Sequence, residues 1–243
     1  NAEVCGFDLI KRPNEIRKKI GVVFQEPVID ESISAYQNLE FHAKLYKIPR
    51  SKRKEKIGSL LKMMNLHQVK DKQVKKYSGG MKRKVEIIRG LLNQPKILFL
   101  DEPTLGLDPK ARKKIWEYIK RINENCTTIF ISTNYMKEAE YLCNEIGIIN
   151  KGELVIVDNK KELLKKVEKD TIEIELISGI KKALRILKPK YKVVKKKYNK
   201  IIINLKDPEE QIVKIFKILN KKEIEFHSTK IIKSDLNDVF LNY

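Results

Sequence analysis

"LFLDEPTLGLDP", Leu98 to Pro109, is an apolar run that stops at two adjacent acids. With Lys96 and Ile97 in front, it reads as a buried strand whose carboxyl end delivers Asp101 and Glu102 side by side. Two carboxylates that close repel, and each is costly to bury unpaired. In a parallel α/β sheet, ligands sit outside the carboxyl ends of the strands. A hard divalent cation such as Mg²⁺ takes carboxylate and phosphate oxygens together and would relieve the repulsion. On this reading Asp101 holds Mg²⁺ through water, and Glu102 orients or deprotonates an attacking water. The other reading is a pair of exposed acids capping a helix. Asp108 is well placed as the N-cap of the helix that follows, with Pro109 at its first position.

The flanking sequence places this strand in a layered fold. Upstream, "IGVVF" (Ile20 to Phe24) is a short β-branched strand that ends at Gln25. From about Ser34 to Leu66 the period is helical, broken by Pro49: Leu39, Ala43 and Tyr46 share one face, and Ile57, Leu60, Leu61 and Met64 another. "YSGGMKRKVEIIRGLL" then opens a helix with Val85, Ile88 and Leu92 as its stripe and Pro95 beyond its end. Downstream, Pro109 to Ile122 is an amphipathic helix, "TTIFIS" a second buried strand, and Tyr135 to Cys143 a helix. "IGIIN" and "ELVIV" are strands joined by the turn Lys151-Gly152. Strands alternating with helices predict an α/β fold with a largely parallel sheet.

After about Lys169 the pattern changes. The order becomes strand, helix, hairpin turning near Tyr198-Asn199, helix, strand, which fits a small α+β ferredoxin-like unit. "SDLNDVFLNY" closes the chain as a capped helix.

A second chemical feature is "SGG", Ser78 to Gly80, at the start of a helix. A helix N-terminus offers free N–H groups and partial positive charge, the glycines allow close approach, and Ser78 adds a hydroxyl. An ordinary serine cap followed by glycines gives the same letters.

Composition bounds the rest. The chain has 243 residues, 42% apolar and 35% charged, with a formal net charge of +20. No stretch approaches the roughly 20 apolar residues of a membrane span. Cys5, Cys126 and Cys143 lack metal-ligand spacing and read as reduced thiols of a cytosolic protein. The acid-free run Lys181 to Lys206 reads as a solvated face, or as a surface for anionic lipid headgroups.

Taken in order, Gln25, "YSGGMKRK", "ILFLDEP" and "GLD" resemble the nucleotide-binding domain of ATP-binding cassette (ABC) transporters, over roughly Ala2 to Val167. "TLGLDP" and the methionine after "SGG" look most like the drug-export, daunorubicin-resistance type, which also carries a small C-terminal domain with a motif similar to "DLNDVFL". The resemblance implies a P-loop NTPase-like domain over 1–168, with a helical subdomain at about 30–95, and a separate domain over 169–243. It implies ATP and Mg²⁺ as cofactors. Gln25 would contact Mg²⁺ and the attacking water. Ser78, Gly79 and Gly80 would bind the γ-phosphate of ATP held mainly by a second subunit. Asp101 would be the acid on Mg²⁺, Glu102 the general base, and Asp108 part of the loop that communicates across the dimer.

The sequence departs from the family's pattern twice. The phosphate loop GxxxxGK[ST] needs Gly followed by Lys, and none of the ten glycines is followed by lysine. In the family that loop lies before the position matching Asn1. The expectation is therefore an N-terminally truncated chain that binds ATP weakly by itself. Asn134 in "STNYMKEAE" stands where the family has its switch histidine; an amide donates a hydrogen bond but cannot become a cation, so the readings are a tolerated polar substitute, slowed hydrolysis, or one degenerate site of a heterodimer.

The resemblance thus implies an ATPase subunit of an exporter, cytoplasmic and peripheral on the membrane. It would be docked on a transmembrane subunit and paired with a second ATP-binding subunit, without specific nucleic-acid binding. The alternatives are a soluble ABC-type ATPase, or a non-catalytic regulatory or nucleic-acid-binding relative.

Overall fold

A computed structural model describes residues 2–166, 170–205 and 207–241. The chain divides into two compact units, Asn1–Leu142 and Cys143–Tyr243. The domain boundary expected at 168–169 lies outside the described residues, as does Lys206 at the end of the basic run.

The first unit opens with a small hairpin, β1 (Glu3–Val4) and β2 (Phe7–Asp8), followed by α1 (Pro13–Lys19) and β3 (Ile20–Val23). Four further elements lead to the twin acids: α2 (Ala35–Leu45), α3 (Arg50–Met63), α4 (Gly79–Leu91) and β4 (Ile97–Asp101). The helix starts are chemically marked. Ser34 and Gln37 form a reciprocal capping box on α2, and the Ser78 hydroxyl accepts from the Met81 N–H on α4. After β4 come α5 (Pro109–Glu124), β5 (Thr128–Ser132) and α6 (Met136–Leu142). Asp108 caps α5 as expected, accepting from the N–H groups of Lys110 and Ala111.

The strands β3, β4 and β5 form a parallel sheet with β4 in the middle. Register pairs Val23 with Leu100 and Asp101 with Ser132, so the ends of all three strands meet at one edge. Val23, Leu98 and Leu100 join Leu39, Ile57, Leu61, Ile88 and Ile115 in a single buried cluster. The helix α4 lies against β3 with almost nothing between them. A Cβ on Gly21 would stand 2.1 Å from the Gly90 carbonyl oxygen, so only glycine permits this approach.

One expectation fails here. The strand β5 is not buried: Thr128, Phe130 and Ser132 are exposed, and Phe130 retains 63% of its surface. Among the described residues β5 pairs with β4 alone, which makes it an edge strand. Ile129 and Ile131 lean on the core while Phe130 stands on the other face, its ring 5.6 Å from Phe99. An apolar run cannot distinguish a central strand from an edge strand with one covered face.

The second unit begins with a hairpin, β6 (Glu145–Asn150) and β7 (Glu153–Asn159), turning at Lys151-Gly152 as predicted, then α7 (Lys160–Lys166). Next come β8 (Asp170–Leu176), α8 (Ile180–Leu187), β9 (Lys192–Lys197), β10 (Lys200–Leu205), α9 (Pro208–Asn220), β11 (Phe226–Ile232) and α10 (Leu236–Phe240). The four later strands pair antiparallel in the order β11-β8-β10-β9, the split order of a ferredoxin-like unit. Ile172, Ile174, Ile201 and Ile203 from the sheet share one core with Ala183, Leu187, Ile215 and Leu219, so α8 and α9 cover the same face. Strict alternation in β8 made this side legible in advance. Lys181, Lys182 and Arg185 of the basic run project from α8 as exposed residues.

Candidate functional site

The site begins at the carboxyl end of β4. Asp101 is exposed and accepts a short hydrogen bond from the Ser132 hydroxyl on β5. Glu102 is half-buried, and its φ of 44° is left-handed, a strained conformation for a residue with a side chain. Its backbone N–H donates to the Ser132 carbonyl at 3.0 Å, and its Oε1 accepts from the Asn134 backbone N–H at 2.9 Å. Burial pushes the Glu102 carboxyl above its ordinary range. The Asn134 hydrogen bond opposes this, and the charges of Glu138 and Asp101 add to it. Such a carboxylate is a better proton acceptor near neutral pH than an unperturbed one.

The backbone under the acids is held by one buried arginine rather than by the abundant lysines. Arg83, on the second turn of α4, is only 8% exposed. Its Nε donates to the Pro103 carbonyl at 2.8 Å and its Nη1 to the Phe24 carbonyl at 2.6 Å. Its Nη2 reaches the carbonyls of Asp101 at 2.7 Å and Glu102 at 3.1 Å. The guanidinium therefore ties the end of β3, one residue before Gln25, to the strained turn after β4. Burial lowers its pKa, and the charges of Glu86, Glu138 and Asp101 push it back up. Glu86, fully buried one turn on, accepts from the Val28 N–H at 2.6 Å and pairs with Arg89 at 3.0 Å. Arg89 in turn donates to the Val22 carbonyl at 3.1 Å. Thus α4 anchors both sides of the loop carrying Gln25, which is itself exposed at the same sheet edge.

A second buried carboxylate sits behind the turn. Glu138 on α6 is 1% exposed, and its Oε1 accepts from the Thr104 hydroxyl at 2.6 Å and from the Trp116 indole at 2.7 Å.

The remaining expected residues gather elsewhere. Ser78 and Gly80 border a pocket of about 230 Å³ together with Asp108, Lys84, Lys110 and Lys114. A Cβ on Gly80 would meet the Ala111 Cβ at 3.1 Å, so Gly80 lets the starts of α4 and α5 approach, while one on Gly79 would make ordinary contact with the Leu107 side chain at 3.5 Å. The sequence-expected residues thus fall into two groups. Asp101, Glu102, Asn134 and Gln25 share the sheet edge, and Ser78, Gly79, Gly80 and Asp108 surround the junction of two helix N-termini.

Sequence reasoning missed Arg83, Thr104, Trp116, Ser132 and Glu138. Signals were present for some. Arginine occurs at Arg83 within a lysine-rich stretch, and the chain has a single tryptophan. For Ser132 and Thr104 nothing local marks a role.

Comparison with known proteins gives the chain's relatives. Residues 5–105 match the family described as ABC transporter. The linearmycin resistance ATP-binding protein LnrL of Bacillus subtilis (strain 168) is 34% identical over 186 residues, 76% of this chain and 60% of the relative. The daunorubicin resistance ATP-binding protein DrrA2 of Streptomyces coeruleorubidus is 35% identical over 173 residues, 71% of this chain and 54% of the relative. The chain therefore spans little more than half the length of these curated relatives. Among solved structures, one described as the dimeric structure of MJ0796, a bacterial ABC transporter cassette, superposes with a TM-score of 0.53. It is 28% identical, over 60% of this chain and 65% of that one. Matching family, similar relatives and shared fold converge: residues 5–105 carry an ABC transporter domain, and the chain is similar to ATP-binding proteins of that family.

Proposed function

We propose that the protein is the ATP-binding subunit of a membrane exporter. It hydrolyses ATP at the interface of two ATP-binding subunits and drives transport through a separate membrane-spanning subunit, on whose cytoplasmic face it sits. The observation that carries this reading is the separation of the two residue groups. The acids and Asn134 stand at the sheet edge, while Ser78, Gly80 and Asp108 border a pocket of their own. Two copies facing each other would bring one copy's acids to the other's helix N-termini, and a relative in the family is described as dimeric.

The donor set suits Mg²⁺. Asp101 is an exposed carboxylate beside the Ser132 hydroxyl, both hard oxygen ligands. Among the described residues no group of three or more His, Cys, Asp or Glu side chains could hold a metal by itself, so phosphate oxygens would complete the shell. When bound, the ion would neutralise phosphate charge. The chain's own residues do the rest. Glu102 accepts the proton of the attacking water, Gln25 orients that water from the same edge, and the Asn134 amide donates to the γ-phosphate. Arg83 keeps the backbone under the acids fixed. Phosphoryl transfer of this kind is mostly positioning and charge stabilisation. These 243 residues contain no Gly-Lys pair for a phosphate loop, so by themselves they bind ATP weakly.

The test is Mg²⁺-dependent ATP hydrolysis by the full-length protein and its Glu102→Gln variant. Turnover is lost in the variant while ATP binding persists. Equal turnover in the two proteins would remove Glu102 as the base and this reading with it.

A further inference from the structure

We propose that Glu138 is a positioning residue for ATP hydrolysis: by pinning Thr104 to Trp116 it holds the turn that carries Glu102 in register with the loop that carries Asn134. This rests on the function proposed above. The contacts form a closed circuit. From Glu102 the Asn134 backbone N–H is 2.9 Å away. The next residue, Tyr135, stacks on Trp116 with centroids 6.1 Å apart. Trp116 donates to Glu138 at 2.7 Å, and Thr104, two residues after Glu102, donates to the same oxygen at 2.6 Å. Tyr141 closes on Trp116 from α6, its ring 5.1 Å from the indole. Arg112, one helical turn before Trp116, adds a parallel tie. It donates to the Leu107 carbonyl at 3.2 Å and lies 4.2 Å from the Tyr135 ring centre.

The turn needs such a tie. Glu102 sits at a φ of 44°, and strained backbone persists only where its surroundings over-determine it. Arg83 holds the carbonyl side of the turn, and Glu138 holds the Thr104 side chain. A carboxylate that is 1% exposed is costly to desolvate, and two short donors on one oxygen offset that cost while fixing where Thr104 stands. With the pin gone, the turn is free to move against the Asn134 loop, and a displacement of about 1 Å can cost on the order of 100-fold in rate.

The experiment measures steady-state ATP hydrolysis by the full-length protein and three variants. Glu138→Ala lowers kcat by about tenfold or more with KM for ATP within about twofold. Glu138→Gln, whose amide oxygen can accept both donors, recovers kcat to within about threefold of wild type. Thr104→Val keeps the buried carboxylate and its indole bond. It lowers kcat in the same direction and carries the test should Glu138→Ala fold poorly. Trp116, the single tryptophan of the sequence, supplies a readout without nucleotide. Its emission maximum moves in Glu138→Ala and stays in Thr104→Val. Wild-type kcat in both Glu138→Ala and Thr104→Val, or a Gln variant as slow as the Ala variant, overturns the proposal. An inactive wild-type protein would sink the proposed function and this inference together; an active one with unaltered variants sinks this inference alone.

Discussion

Replacing Arg83 with methionine keeps an unbranched apolar stem on α4 but deletes the guanidinium. Four carbonyls then lose a charged donor: Pro103 at 2.8 Å, Phe24 at 2.6 Å, Asp101 at 2.7 Å and Glu102 at 3.1 Å. Hydrogen bonds to a charged donor contribute about 1.5–3 kcal/mol each, and neighbours in one network are not additive. Two of the bonds lost outright amount to about 3–6 kcal/mol, and the charge that no longer needs desolvating returns part of this. The net loss is about 3–5 kcal/mol, the range for removing one member of a buried charged network. Urea unfolding followed by Trp116 emission reads the unit Asn1–Leu142 alone, because the only tryptophan lies there. With an m-value near 2 kcal/mol/M, the midpoint falls by about 2 M. Arg83→Lys recovers less than half of this, since a single ammonium replaces a planar fork. An Arg83→Met midpoint within about 0.5 M of wild type would refute the assignment of Arg83 as the donor that holds the turn.

Two further outcomes can be checked separately. Gly21→Ala places a Cβ 2.1 Å from the Gly90 carbonyl oxygen and destabilises the same unit by about 1–3 kcal/mol or more in the urea assay, whereas Gly58→Ala, a helical site with nothing within 4 Å of the added carbon, stabilises it by about 0.5–1 kcal/mol; equal midpoints for the two variants would contradict the close approach of α4 to β3. In the full-length protein Asn134→His raises ATP turnover by more than about twofold, and a smaller change would mean that Asn134 does not limit the reaction.

Much of this molecule was legible as local pattern. Strand period and helix period, the caps at Ser78 and Asp108, the turn at Lys151-Gly152 and the alternation of β8 are each encoded within a few residues. The pairing of Asp101 with Glu102 at a strand end, the glycines after Ser78 and the order of the last four strands followed from the same kind of reading. What pattern could not supply was partnership across the sheet and between helices. Arg83 meets Phe24 59 residues away, and Glu138 meets Thr104 across 34. No local period marks a charge as buried when its partners are distant backbone carbonyls. Nor did the run "TTIFIS" say that, among the described residues, only one of its edges would be paired. The chain's own order of apolar and polar residues therefore determined which elements form and put the two acids at a strand tip. Only the packing of α4, α5 and α6 around that tip decided what positions them, because buried polar groups are held by partners that converge in space, and convergence is a property of the folded whole.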